Sequence, residues 1–275
     1  MKSKKVLFIT QEMTPYVPET AMATDGRKLP QALQENGCEI RTFMPRWGII
    51  NERRNQLHEV IRLSGMNIII DDTDHPLIIK VASIPAARMQ VYFIDNDDYF
   101  HKRSLLNDPE GNEYADNVER AVFYARGVLE TVKKLRWCPD VIYCQGWMSA
   151  VAAFYIKTAY RDEPPFSDAK VVFSVYNEMA DATLAQRIEE CLTFRSADKK
   201  ALEAAGVDLS RPDALGCLGV AFSDGTIEGE AGAAPAVMEF AKAKEKPVLN
   251  YVSLEDGAAE AYKAFFSQLC GDEEE

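Results

Sequence analysis

The hydrophobic pattern alternates between two kinds of segment. "KKVLFIT" (4–10), "EIRTFMP" (39–45), "DVIYC" (140–144) and "AKVVFSVYN" (169–177) are short runs rich in branched apolar residues, the pattern of strands buried on both faces of a parallel sheet. Between them lie stretches at helical spacing: "GRKLPQALQENGC" (26–38) with its glycine near the end, "DNVERAVFYARGVLETVKKLRW" (116–137), and "WMSAVAAFYIKTAY" (147–160). Asp116 is placed to cap the second of these helices, and lysines crowd its last turn, both in the sense the helix dipole favours. Three further runs, at 59–71, 76–84 and 89–96, read as antiparallel strands inserted into the α/β alternation. Beyond residue 177 the pattern predicts helices at 184–194, 198–207, 233–245 and 258–269, with strands at 214–224 and 246–252.

Alternating strands and helices call for a doubly wound, mostly parallel α/β sheet with a small antiparallel hairpin insertion. No internal repeat or linker divides the chain, so residues 1–270 are expected to form one domain, followed by an acidic tail at 271–275. The length of 275 residues suffices for a sizeable core. A net charge of −12 argues against nucleic acid and anionic membrane surfaces as partners and suits neutral ligands. No run approaches the roughly 20 apolar residues of a membrane span, and the basic N-terminus leads into a first strand rather than a secretory signal. Six scattered cysteines and three unclustered histidines imply reduced thiols, a cytoplasmic location and no metal site.

"KVLFITQEMTPYVP" (5–18), "LPQALQENGCEIRTFMPRWGIINERR" (29–54), "YFIDNDDYF" (92–100), "YADNVERAVFYARGVLE" (114–130) and "CPDVIYCQGW" (138–147), in that order and spacing, resemble the N-terminal domain of bacterial glycogen and starch synthases, glycosyltransferase family 5. The resemblance is clear from about residue 4 to residue 177. It implies a Rossmann-like half of a GT-B fold and, in the family, transfer of glucose from ADP-glucose to an α-1,4-glucan. Glu12, Met13, Pro45, Asn51, Tyr92, Asp116, Asn117, Arg120 and Trp147 match the family pattern.

The family's first strand–helix loop reads Lys-Thr-Gly-Gly-Leu, where glycines admit the donor phosphates and lysine neutralises them. The matching residues here are Pro18, Glu19, Thr20, Ala21 and Met22. The cation is gone, an acid has arrived, both glycines carry side chains and a proline removes one N–H. The family corner His-Ala-His-Asp-Trp-His is here Tyr143, Cys144, Gln145, Gly146, Trp147 and Met148, which puts Gln145 at the histidine beside the transferred sugar. Tyr176 and Asn177 replace a family His-Asn pair. Family enzymes also carry a second, donor-binding domain, which nothing after residue 177 resembles.

These departures imply a catalytically degenerate domain that needs no cofactor. Its expected partner is an α-glucan or maltooligosaccharide, another protein or a second copy, with a regulatory role in glycogen metabolism. The alternative is a glucosyltransferase subunit whose donor domain comes from another chain. Glu12, Asp116, Asn117, Gln145, Trp147, Tyr176 and Asn177 are the ligand-binding candidates. Each also has a plainer reading. Gln145 either bonds a sugar hydroxyl or merely fills the histidine slot, and Asp116 either anchors glucan or caps its helix. Trp47, Trp137 and Trp147 either stack on sugar or lie in the core, with Trp47 the most exposed of the three. The run "DDTDH" (71–75) is either a cation site or a solvated hairpin tip, and Cys144 has no neighbouring base to make it a nucleophile.

Overall fold

The computed structural model of the protein describes residues 3–272. Five buried, branched segments form the centre of a ten-stranded sheet: β1 (Lys5–Thr10), β2 (Glu39–Pro45), β6 (Met89–Asp95), β7 (Val141–Gln145) and β8 (Lys170–Val175). With β9 (Gly225–Glu228) and β10 (Val248–Leu249) they run parallel in the order β10-β9-β8-β7-β1-β2-β6. The antiparallel part is β5 (Thr73–Ile84) on β6, with β3 (His58–Glu59) and β4 (Met66–Ile70) both on β5. β6 therefore belongs to the parallel sheet on one edge and to the insertion on the other, which strand composition alone does not reveal. The residues of 71–75 form the β4–β5 hairpin tip, where Asp71 and Asp72 adopt positive φ. His75, by contrast, is buried against Tyr99.

Strand alternation divides the core. Leu7, Ile9, Ile142, Cys144, Val171 and Phe173 face one layer. That layer contains α2 (Asn117–Leu135), α3 (Ala150–Lys157) and α6 (Ala214–Ala221). Val6, Phe8, Val141, Tyr143 and Val172 face α1 (Ala21–Glu35) and α8 (Ala258–Cys270). The short helix α4 (Ile188–Leu192) packs on α2, α5 (Lys199–Ala205) follows it in the chain, and α7 (Pro235–Ala243) packs on α6. The doubly wound architecture is thus present, with residues 225–270 contributing to the same sheet and its layers.

Three local expectations are corrected. Residues 214–221 are helix, and the strand begins only at Gly225. The run ALGCLGVA is apolar all round, so it has no periodicity to separate a buried helix from a buried strand; Gly216 and Gly219 let it press on Val237 and the Phe173 ring. Helix α1 starts at Ala21, because Thr20 caps it by accepting from the Ala23 N–H at 2.9 Å. Trp47 is buried at 1% exposure, its Nε1 donating to the Gln11 carbonyl at 2.7 Å and its ring lying under Arg120. Of the acidic tail, residues 273–275 lie outside the described residues.

Gly26 sets how closely α1 approaches the end of β1: a Cβ there would drive into the Glu12 carbonyl oxygen and lie 3.2 Å from Gln145 Oε1. Alanine normally gains helix stability over glycine by about 1 kcal/mol, but overpacking against rigid backbone costs about 1–3 kcal/mol. Gly26→Ala is therefore expected to lower stability in chemical denaturation by up to about 2 kcal/mol, and a variant more stable than the parent would show that α1 is not held this close.

Candidate functional site

The strand order reverses between β1 and β7, so the carboxyl ends of these two strands and of β8 form the switch-point crevice of the sheet. Gln11, just past β1, is fully buried there. Its Oε1 accepts from the Met148 N–H at 3.2 Å and its Nε2 donates to Glu178 Oε2 at 3.1 Å. Gly146, at φ +78°, makes the turn out of β7, and a Cβ on it would lie 2.8 Å from both Gln11 Oε1 and the Met22 sulfur. The corner is thus closed by backbone and a neutral amide.

Most of the residues expected to touch ligand are used internally. Gln145 is fully buried; its Nε2 donates to the Tyr176 hydroxyl at 2.8 Å and to the Met22 carbonyl at 3.2 Å, and Tyr176 in turn donates to Asp25 at 2.9 Å. Tyr176, Trp147 and Asn117 are also buried. Asn117 binds the Leu106 carbonyl and accepts from Arg120, which holds the 99–106 segment through the Tyr99 and Leu105 carbonyls. Asp116 occupies the N-cap position of α2 without a side-chain cap bond, because its carboxylate pairs with Arg103 instead. Asn177 is exposed, but its N–H donates to Glu230 and its Oδ1 accepts from the Ala234 N–H at 3.0 Å. Glu12 is nearly buried, and Thr20 Oγ1 donates to its Oε2 at 2.5 Å.

Residues 18–22 lead into α1. Pro18, Glu19 and Thr20 are exposed at the entry to α1, and Ala21 is the first helical residue. The helix N-terminus, a ready anion site in general, is here capped by its own Thr20 and faces the Glu12 carboxylate through that hydroxyl.

Two acids that the sequence did not single out join this end of the sheet. Burial pushes the Asp25 carboxyl up to about 6, with Glu230 acting in the same direction and the Tyr176 hydroxyl and Lys28 opposing. Loss of hydration at its carboxyl end, then the adjoining Glu12 and more distant Glu113, push Glu178 up to about 8 against the Gln11 bond. Although Glu178 is exposed as a residue, its carboxylate turns inward onto the buried Gln11 amide. The side-chain partners of Glu12, Asp25 and Glu178 are Thr20, Tyr176 and Gln11, not lysine or arginine. Among the described residues no group of three or more His, Cys, Asp or Glu is placed to hold a metal ion. All six cysteines are free, and burial raises the Cys144 thiol well above its ordinary range. Two surface cavities, of about 320 and 500 Å³, lie elsewhere, one beside Lys4 and Lys170 and one between Leu249 and α8.

Residues 5–215 match the starch synthase catalytic domain family. The chain belongs to that family. A glycogen synthase of Chlorobium luteolum is 36% identical over 192 residues, 70% of this chain and 39% of the relative. A glycogen synthase of Chlorobium phaeovibrioides is 34% identical over 244 residues, 86% of this chain and 49% of the relative. The chain therefore spans less than half the length of these family members. The fold is shared with the catalytic domain of starch synthase IV from Arabidopsis thaliana, solved bound to ADP and acarbose, at a TM-score of 0.69 and 16% identity over 92% of this chain and 52% of that one. The glycogen/starch synthase-type sheet is thus established for this protein, and no helix among the described residues is long and apolar enough to cross a membrane.

The raised Glu178 carboxyl has a measurable consequence. An acid whose folded pKa is raised contributes stability below its unfolded value, and that contribution is lost as pH climbs to the folded value. Stability is expected to fall between about pH 4.5 and pH 8. Glu178→Gln should match the parent in melting temperature near pH 4 and exceed it near pH 8.5; parallel melting curves across that range would exclude an inward, proton-bearing Glu178.

Proposed function

We propose that residues 1–270 act as one glycogen/starch synthase-type N-terminal domain that has lost donor binding and retains a glucan- or partner-holding role. Such a domain would work in the cytoplasm, in glycogen metabolism. The observation that carries this reading is the α1 N-terminus: where the family places a lysine and two glycines, Thr20 caps the helix and bonds Glu12, with Glu19 exposed beside it. A nucleotide sugar brings two negative phosphates, which need donors and cations at that place. Here they would meet a helix start already capped by Thr20, whose hydroxyl is bonded to the Glu12 carboxylate. Neutral glucan hydroxyls carry no such penalty, and the structurally similar Arabidopsis starch synthase IV domain, bound to acarbose as well as to ADP, supports carbohydrate as one ligand class for this fold.

A second reading keeps catalysis. Family membership and the glycogen synthase relatives favour a glucosyltransferase subunit that uses donor-binding groups supplied by another chain or another part of a longer one. Calorimetry with maltooligosaccharide and with ADP-glucose, together with an ADP-glucose turnover assay, separates the readings. The degenerate domain predicts saturable maltooligosaccharide binding, no ADP-glucose binding and no turnover. Turnover by the purified chain would overturn it, and turnover that appears only on adding a second subunit would favour the other.

A further inference from the structure

The sheet ends at β10, which pairs with β9 on one side and has no strand on the other among the described residues. An open edge is a template for a further strand. Beside it, between Leu249 and α8, lies the cavity of about 500 Å³. Ala261, Ala264, Phe265 and Gln268 supply its helix wall, with Asp272 beyond them. Ala264 and Gln268 are exposed and Ala261 is half-buried, so two small residues one turn apart leave this face of α8 open to close approach. Helix α8 runs toward the amino ends of the strands, since Asp272 just past it pairs with Lys4 just before β1. Tyr251, two residues past β10, is a large side chain left 41% exposed at the opposite, carboxyl end.

Charge is segregated along the same edge. Residues 241–247, leading into β10, hold Lys242, Lys244 and Lys246 against one acid, Glu245. Residues 250–260, leading out of it, hold Glu255, Asp256 and Glu260 and no cation. Lys244 and Lys246 bond carbonyl oxygens, of Ala205 and of Ala221 and Ser223, and Asp256 accepts from the Ser253 hydroxyl. None of these lysines and acids forms a salt bridge among the described residues. An edge strand with a basic entry and an acidic exit, neither neutralised within the chain, is complementary to a copy of itself running the other way.

We propose that this edge is an interface with a second copy of the chain: two β10 strands pair antiparallel about a two-fold axis normal to the sheet, making one continuous sheet across the dimer. That arrangement sets the basic entry of each strand beside the acidic exit of the other. It keeps both α8 helices on one face, where their alanine surfaces meet. It also brings Tyr251 of each copy, at the carboxyl end of its strand, to the amino end of the other copy's groove. β10 is only two residues long, so strand pairing contributes few hydrogen bonds and the groove most of the contact. The surface lies at the edge of the sheet, with β8 and β9 between it and the β1–β7 crevice, so the inference does not rest on the proposed function.

The test is sedimentation velocity of the whole chain over a range of concentration and salt. The parent should form a dimer that weakens between about 0.05 and about 0.5 M salt, as screening removes the attraction between the flanks. Ala264→Arg, a change at an exposed position, should sediment as a folded monomer. Lys242→Glu should weaken the dimer about tenfold, because both symmetry-related flanks lose a favourable charge. Arg53→Glu, the same change of charge on an exposed residue of the loop after β2, should leave the dimer unaltered. A parent that stays monomeric at every concentration, a dimer that Ala264→Arg leaves intact, or equal effects of Lys242→Glu and Arg53→Glu would overturn the proposal. If Ala264→Arg does not fold, the two charge variants decide the matter. No glucan or nucleotide enters the experiment, so its failure and a failure of the proposed function are distinguishable.

Discussion

Gln11 stands where β1 ends, and its fully buried side chain fills the gap at which the strand order reverses. Its carbonyl receives Trp47, its amide oxygen receives the Met148 N–H, and its amide nitrogen reaches Glu178. One residue therefore ties the loop after β2, the turn after β7 and the segment after β8 to the end of β1. A buried amide must find partners for both of its polar ends, or the cost falls on the fold. Gly146 has no room for a Cβ because Gln11 Oε1 is there, and α1 lies close enough that Gly26 has none either. The crevice is narrow because these backbone approaches are narrow.

The electrostatics follow from that closeness. Burial raises the Asp25 and Glu178 carboxyls into the physiological range, against the Tyr176 hydroxyl and Gln11 amide bonds that they accept. A glycosyltransferase sheet delivers helix N-termini and strand ends to its crevice whether or not the residues there suit a phosphate. In this chain the backbone frame of the family persists, while the start of α1 is capped by Thr20 and bonded through it to Glu12. Gln145 illustrates the change: its Nε2 is spent on the Met22 carbonyl and the Tyr176 hydroxyl inside the wall, and its side chain is fully buried.

The central strands were legible in the sequence because a strand buried on both faces has little choice but a branched apolar run, as in residues 140–144 and 169–177. Helix α2 was legible from its periodicity. Residues 214–221 were not, since a run apolar on every side carries no period. The start of α1 was misread because Thr20, considered as a loop residue, is also a capping residue. Within the site, the residue types of the donor loop and of the β7 corner were readable, but their burial was not. Trp47 in a Pro-Arg-Trp-Gly loop gives no sign that Gln11 and Arg120 enclose it. Asp25 and Glu178 are far apart in the chain and meet this crevice only through the sheet order. Helical position alone left Asp116 as a cap, and only the fold brings Arg103 to it.

The account turns on whether the entry to α1 still receives a nucleotide sugar. The most direct measurement is the amide NMR response of Thr20–Thr24 and Gly146–Ser149 to ADP-glucose. It should be recorded on the parent protein and on a variant carrying Pro18→Lys, Glu19→Thr, Thr20→Gly, Ala21→Gly and Met22→Leu. The account predicts no saturable shift in the parent and a gain of response in the variant. Saturable shifts at these amides in the parent protein would contradict it.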